Sequence, residues 1–188
     1  MKKIVFIGAG SIIFVKNLIG DCMLTPSLCD SEFALLDINR EKLYLAEGML
    51  KNLNRNVNGG RATGKAYESQ REALAGADFV INAIQVGGYD PCIINDFEIP
   101  LKYGLRQTYA DTLGIGGIMR GLRTIPVMKG ITDDMEELCP NAWLLNYTNP
   151  MAIVTGAVLK SSSIKTIGLC HSVQSCTKNL MDVVGMDC

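Results

Sequence analysis

Lys3-Ile4-Val5-Phe6-Ile7-Gly8-Ala9-Gly10-Ser11 is an apolar run that stops on two glycines one residue apart. Lys3 to Gly8 predicts a first strand, and Ser11 to about Met23 predicts the helix that follows it. Gly8 and Gly10 take the first two places of the G-x-G-x-x-G fingerprint of a dinucleotide-binding turn. Glycine at the first place permits the tight turn, and at the second it lets a pyrophosphate approach the backbone. The helix behind the turn presents unpaired N–H groups and about half a positive charge. The third place is Ile13, so the fingerprint is incomplete, and G-x-G alone occurs in many unrelated loops.

The rest of the chain repeats the pattern of short apolar run and helix. Phe33 to Leu36 is a second strand ending in Asp37, followed by a helix with Leu43, Ala46, Leu50 and Leu53 at helical spacing and Asn39 as its cap. A weaker third strand is expected at Ala62 to Tyr67. Asp78 to Ile84 suits a strand buried on both faces, interrupted only by Asn82. Helix is expected from about Gly117 to Glu137, a fifth strand at Ala142 to Asn146, a helix starting at Pro150, and a sixth strand at Ile164 to Leu169. Strands alternating with helices imply right-handed crossovers. The fold class expected is α/β: a doubly wound, Rossmann-type, mostly parallel sheet with helices on both faces. The whole of 1–188 reads as one dinucleotide-binding domain.

Composition narrows the partners. The 188 residues carry a formal net charge of −1, with 48% apolar and 20% charged residues. No cluster of Lys and Arg offers a phosphate-tracking surface, which argues against nucleic acid. No apolar stretch approaches the roughly 20 residues of a membrane span. Seven cysteines at scattered spacing argue against a disulfide framework and for a reducing, cytoplasmic setting.

In doubly wound sheets, ligands gather at the carboxyl ends of the strands. The polar residues of this chain gather there too. Gly8, Gly10, Ser11, Asp37 and Asn82 form the expected cofactor-binding set. An acid ending the second strand accepts hydrogen bonds from a ribose diol and repels a 2′-phosphate, favouring NAD over NADP; alternatively Asp37 opens the turn into the next helix. Cys170 is either a buried structural cysteine or, at a strand end beside a helix N-terminus, a thiolate able to bind a borderline metal. Asn149 either caps a helix whose first residue is Pro150 or presents an amide to a polyhydroxylated substrate. The glycine-rich stretch Asp111 to Gly117 either cradles an anion, packs on a cofactor, or begins a helix tightly. His171 is the single histidine.

Taken together, several collinear segments resemble the family-4 glycoside hydrolases, NAD- and metal-dependent glycosidases, and among them the melibiase-type α-galactosidases. The matching segments include Phe6-Ile7-Gly8-Ala9-Gly10-Ser11, Leu36-Asp37-Ile38, Gly87-Gly88-Tyr89 and Ala110-Asp111-Thr112-Leu113-Gly114. They continue through Gly116-Gly117-Ile118-Met119-Arg120, Leu122-Arg123-Thr124-Ile125-Pro126, Asn146-Tyr147-Thr148-Asn149-Pro150-Met151-Ala152 and Gly168-Leu169-Cys170-His171-Ser172-Val173-Gln174. The resemblance implies glycoside cleavage by transient oxidation: NAD takes hydride from C3 of the sugar, a base removes the C2 proton, the leaving group is eliminated, water adds, and the hydride returns.

By position, the resemblance implies Cys170 as a metal ligand, usually to manganese (Mn2+), and Asn149 as a substrate- or metal-contacting amide. It implies His171 as a proton donor to the leaving group and Asp111 as an acid near the sugar. Gln85 stands where phospho-sugar enzymes carry a basic residue, which implies an unphosphorylated glycoside as the small-molecule substrate. A homo-oligomer is also expected. Members of the family run to more than twice this length, and the further part carries a histidine ligand and a tyrosine base. The 188 residues alone are therefore expected to bind NAD but hydrolyse little. Ile13, and Ser175 where near relatives tend to have glycine, depart from the pattern. Two other readings stay open: a lactate/malate-type NAD dehydrogenase, and a non-catalytic NAD-binding module.

Overall fold

The computed structural model describes residues 1–186, apart from the side chains of His171, Val173 and Gln174. Six strands form one sheet: β1 (Lys3–Ile7), β2 (Glu32–Leu36), β3 (Thr63–Tyr67), β4 (Phe79–Asn82), β5 (Trp143–Asn146) and β6 (Lys165–Gly168). Their order is β3-β2-β1-β4-β5-β6, and every pairing is parallel. The chain reverses its direction of travel between β1 and β4, the switch point at which such sheets open a crevice for ligands.

Alternation along the strands explains the helices on both faces. Val5 and Ile7 of β1 join a core with Val80, Leu144, Met128, Ile131, Met135, Val154 and Val158. This core lies under α3 (Gln70–Leu74), α5 (Gly114–Leu138) and α6 (Met151–Ser161). Ile4 and Phe6 point the other way, to Phe33, Leu35, Val15, Ile19, Met23, Leu43 and Leu50. There they meet α1 (Ile12–Leu24) and α2 (Arg40–Val57). A one-residue slip of β1 would exchange the two sets, so both cores fix its register.

All six expected strands are present, with ends shifted by one or two residues. Asn39 caps α2, its side chain accepting from the Lys42 N–H at 3.0 Å. Pro150 is the capping residue of α6 rather than its first helical residue. The expected helix near Gly117 begins three residues earlier, at Gly114. Sequence reading assigned no helix to α3, nor to the wide turn at Gly88–Ile93 with α4 (Ile94–Lys102) behind it. Pro91 and Pro100 interrupt the helical pattern there. The last helix, α7 (His171–Val184), follows β6.

Candidate active site at the carboxyl ends of the strands

The turn after β1 is built from backbone. Gly8 has φ +91°, and a Cβ placed on it would stand 2.5 Å from the Ala83 carbonyl oxygen. A Cβ on Gly10 would stand 2.7 Å from Asp37 Oδ2. Both glycines are therefore required by close approach, Gly8 by its left-handed φ as well. Ser11 precedes α1 without a side-chain bond to the helix and is exposed, so its hydroxyl faces the turn's open side.

Asp37 reaches across from the end of β2. Its Oδ2 accepts from the Gly10 N–H at 2.7 Å and its Oδ1 from the Asn39 N–H at 2.8 Å. A carboxylate has about four acceptor positions, so these two bonds leave room for a ribose diol. Asp37 thus both orders the phosphate turn and keeps acceptor capacity beside it. The cradle suits a dinucleotide: two glycines without room for side chains, a 13-residue helix aimed at the turn, and an acid at the neighbouring strand end.

Asn82, expected at the cofactor, ends β4. Its side chain is wholly buried. The amide nitrogen lies 3.0 Å from Asn146 Oδ1, 2.9 Å from Thr148 Oγ1 and 3.1 Å from Met128 Sδ. These bonds tie the end of β4 to β5 and to the loop after it. Asn82 and Asn146 are register partners on adjacent strands, each closing an apolar run. Asn146 Nδ2 donates in turn to Thr155 Oγ1 at 3.1 Å.

Asn149 and Cys170 come to the same edge. β5 and β6 pair with Asn146 opposite Gly168, so Asn149 stands three residues and Cys170 two residues past one rung of the ladder. The Leu169 N–H donates to the Asn146 carbonyl at 2.9 Å, carrying the pairing one residue further. Asn149 is not the cap of α6, which closes the capping reading. Cys170 is half-buried at the N-terminus of α7 and makes no side-chain cap to it. His171 is the first residue of α7; its side chain lies outside the description. Among the described residues no cluster of three or more His, Cys, Asp or Glu is assembled. The polar groups at this end of the sheet include one thiol and one amide. Tyr147, next to them, packs edge-on against Phe14, ring centroids 4.8 Å apart, and burial pushes its hydroxyl above the usual range. Its ring serves as a packing surface for α1.

A third group lies on α5 and the loop before it. Asp111 accepts from Arg120, which is almost completely buried. One turn on, Arg123 forms a two-pronged pair with buried Asp96, at 2.6 and 3.2 Å, and its Nε donates to the Val86 carbonyl. The Asp96 bonds hold the Arg123 guanidinium above its ordinary value. These pairs fix the loop after β4 and the loop before α5 to one helix. Sequence reading quoted both arginines within motifs but gave them no role; Arg120 directly precedes the buried Gly121, and Arg123 follows that glycine by two residues. The glycines also settle the helix-start question. A Cβ on Gly116 would lie 2.0 Å from the Ala110 carbonyl, and one on Gly117 2.5 Å from that of Thr112. The stretch is a tightly packed helix start. Beside it Asp111 lines a cavity of about 440 Å³ with Tyr89, Ile93, Ile94, Phe97 and Glu98.

Residues 3–186 match the model of the family 4 glycosyl hydrolases. The chain belongs to that family. It is 60% identical over 187 residues to an alpha-galactosidase of Bacillus subtilis, covering 100% of this chain and 43% of the relative. An alpha-galactosidase of Rhizobium meliloti is 40% identical over 185 residues, 97% of this chain and 37% of its own length. Among solved structures, a 6-phospho-beta glucosidase of Thermotoga maritima, crystallised with manganese, NAD+ and glucose-6-phosphate, superposes with a TM-score of 0.84 at 27% identity. That match covers 100% of this chain and 44% of the glucosidase. The chain thus spans less than half the length of the relatives it matches. Family membership sets aside the lactate/malate-type reading. Among the described residues no helix is long and apolar enough to cross a membrane.

Proposed function

We propose that this chain forms the NAD-holding part of an α-galactosidase-type glycosidase that also uses a divalent metal, manganese by preference. The observation that carries the reading is the shared carboxyl end of β5 and β6, where an amide (Asn149) and a thiol (Cys170) follow the paired residues Asn146 and Gly168 by three and two positions, on the same end of the sheet as the nucleotide turn. A dehydrogenase has no need of a thiol there. A glycosidase that works by transient oxidation needs a cofactor turn and a metal-binding edge on one sheet.

In this reading Gly8, Gly10 and the N-terminus of α1 hold the pyrophosphate by backbone N–H groups, and Asp37 takes the ribose hydroxyls. Cys170 and Asn149 would hold the metal from one side. When bound, the two groups supply a reversible hydride acceptor and a localised positive charge beside the sugar oxygens. His171 stands next to Cys170 in sequence and donates a proton to the departing oxygen. Asp111, fixed by Arg120, accepts hydrogen bonds from sugar hydroxyls. Glu98 in the adjoining cavity repels phosphate and carboxylate, and exposed Gln85 adds no positive charge, which favours a neutral sugar.

Equilibrium binding of NAD and manganese, with and without Cys170→Ser, tests the reading alongside turnover of paired aryl α-galactoside and α-glucoside. Expected are NAD binding by both proteins, manganese binding lost in Cys170→Ser, and any hydrolysis faster on the galactoside. Accumulation of NADH with a 2-hydroxy acid, or manganese binding indifferent to Cys170, would overturn it.

A further inference from the structure

Thr148 lies between the nucleotide turn and the Asn149–Cys170 edge, and its hydroxyl is fully used. It accepts from the Ile84 N–H at 2.9 Å and from Asn82 Nδ2 at 2.9 Å, and it donates to the Ile84 carbonyl at 3.2 Å. One donor and two lone pairs are the whole capacity of a hydroxyl. The residue is 3% exposed, so water does not compete for these bonds. Its backbone is pinned as well: the Thr148 N–H donates to Asn146 Oδ1 at 3.1 Å.

Ile84 is where this clasp meets the cofactor turn. The nearest atoms to a Cβ built on Gly8 are the Ala83 carbonyl and, at 3.2 Å, the Ile84 nitrogen. The Ala83 N–H donates to the Ile7 carbonyl at 2.9 Å, which ties the same segment to the end of β1. Thr148 is thus bonded to Ile84, Ala83 is bonded to the end of β1, and Gly8 has no room for a side chain against this segment, while the next residue after Thr148 is Asn149. Strand pairing alone does not provide this link, because β4 ends at Asn82 and β5 at Asn146.

We infer that the Thr148 hydroxyl is a positioning group: it locks the loop after β4 to the loop after β5 and so sets where the nicotinamide half of the dinucleotide lies relative to Asn149. The inference rests on the NAD reading above. Adenosine is anchored farther off, at Asp37 on the end of β2, two places along the sheet from β4. Loss of the clasp therefore affects the two halves of the cofactor unequally.

The test uses Thr148→Val, which keeps the shape and removes the hydroxyl, and Thr148→Ser, which keeps the hydroxyl. Hydrogen exchange at the Ile84 amide, read by NMR, is expected to accelerate about tenfold or more in Thr148→Val and to stay near the parent rate in Thr148→Ser, tenfold being about 1.4 kcal/mol of protection. NAD affinity is expected to fall about tenfold in the valine variant and to recover in the serine variant, with AMP affinity unchanged throughout. Equal losses for NAD and AMP, no loss for NAD, unchanged Ile84 exchange, or no rescue by serine would each overturn the inference. A parent chain that binds no NAD gives a separate result: the NAD reading fails, and Ile84 exchange alone decides whether the clasp exists.

Discussion

At the ends of β1 and β2 the chain offers a ligand backbone N–H groups, two glycines and one carboxylate. At the ends of β4, β5 and β6 it offers side chains, held from below by buried amides and hydroxyls. The first corner is small: Gly8 and Gly10 pack against Ala83 and Asp37, and one carboxylate bond closes it. The second is assembled from afar, with Asn82, Asn146, Thr148 and Thr155 bonded across as many as 66 residues of sequence. A backbone cradle tolerates few substitutions but needs few residues. A side-chain edge is tuned by many residues, each of smaller effect.

Changes that attack the backbone corner are expected to be the largest. Gly8→Val adds overpacking against the Ala83 carbonyl, about 1–3 kcal/mol, to a left-handed backbone costing about 1–2 kcal/mol. Urea denaturation should show a loss of about 2–5 kcal/mol, with NAD binding abolished. If the variant keeps parental stability, the two corners do not differ in the way described.

Asp96→Ala tests the ion pair that, through Arg123, holds the loop after β4 beside the side-chain corner. Breaking a buried ion pair costs about 3–5 kcal/mol, less where one partner reaches solvent. Arg123 is 24% exposed, so a loss of about 2 kcal/mol is expected, with AMP affinity unchanged. Asp37→Ala should reverse that pattern. Removing charge-assisted bonds of about 1.5–3 kcal/mol predicts a tenfold to hundredfold loss of NAD affinity, with a denaturation change of about 1 kcal/mol. A double substitution of Asp37 and Asp96 should be additive, since the two corners share no partner.

The smallest effect lies at the opposite end of the sheet. Asp78 accepts from the Lys3 N–H and from Lys2 Nζ, both at 2.9 Å, and these bonds hold its carboxyl below the usual range. A depressed carboxyl adds stability above its unfolded value and loses it as pH falls through the folded one. The side chain is 33% exposed, so the contribution is under about 1 kcal/mol. Parent and Asp78→Asn should differ slightly at neutral pH and converge below about pH 4. Divergence on acidification would contradict this assignment.

How much could be read in the sequence follows the same division. The strand–helix alternation, the Gly8–Gly10 turn, Asp37 and the Asn39 cap were legible because each leaves a short pattern in the sequence, although Gly8 and Asp37 find their contacts far along the chain. The bonds of Asn82 were not legible because they run to Asn146 and Thr148, which only the parallel pairing of β4 and β5 brings near it. Helix α4 was missed because Pro91 and Pro100 break the apolar period that reveals helices. The pairing of Arg123 with Asp96 depends on how α4 packs on α5, which no local pattern announces. Asn149 and Cys170 were recognisable as segments of a family, and the structure adds that they follow the ends of adjacent strands.

The central claim is that the turn from Gly8 to Ser11, with Asp37 beside it, is a site for NAD. Calorimetric titration of the chain with NAD and with NADP tests this most directly, because the 2′-phosphate would face the Asp37 carboxylate. The account predicts that NAD binds, that NADP binds about tenfold or more weakly, and that Asp37→Ala removes the preference. Equal affinity for the two, or binding of neither, would contradict it.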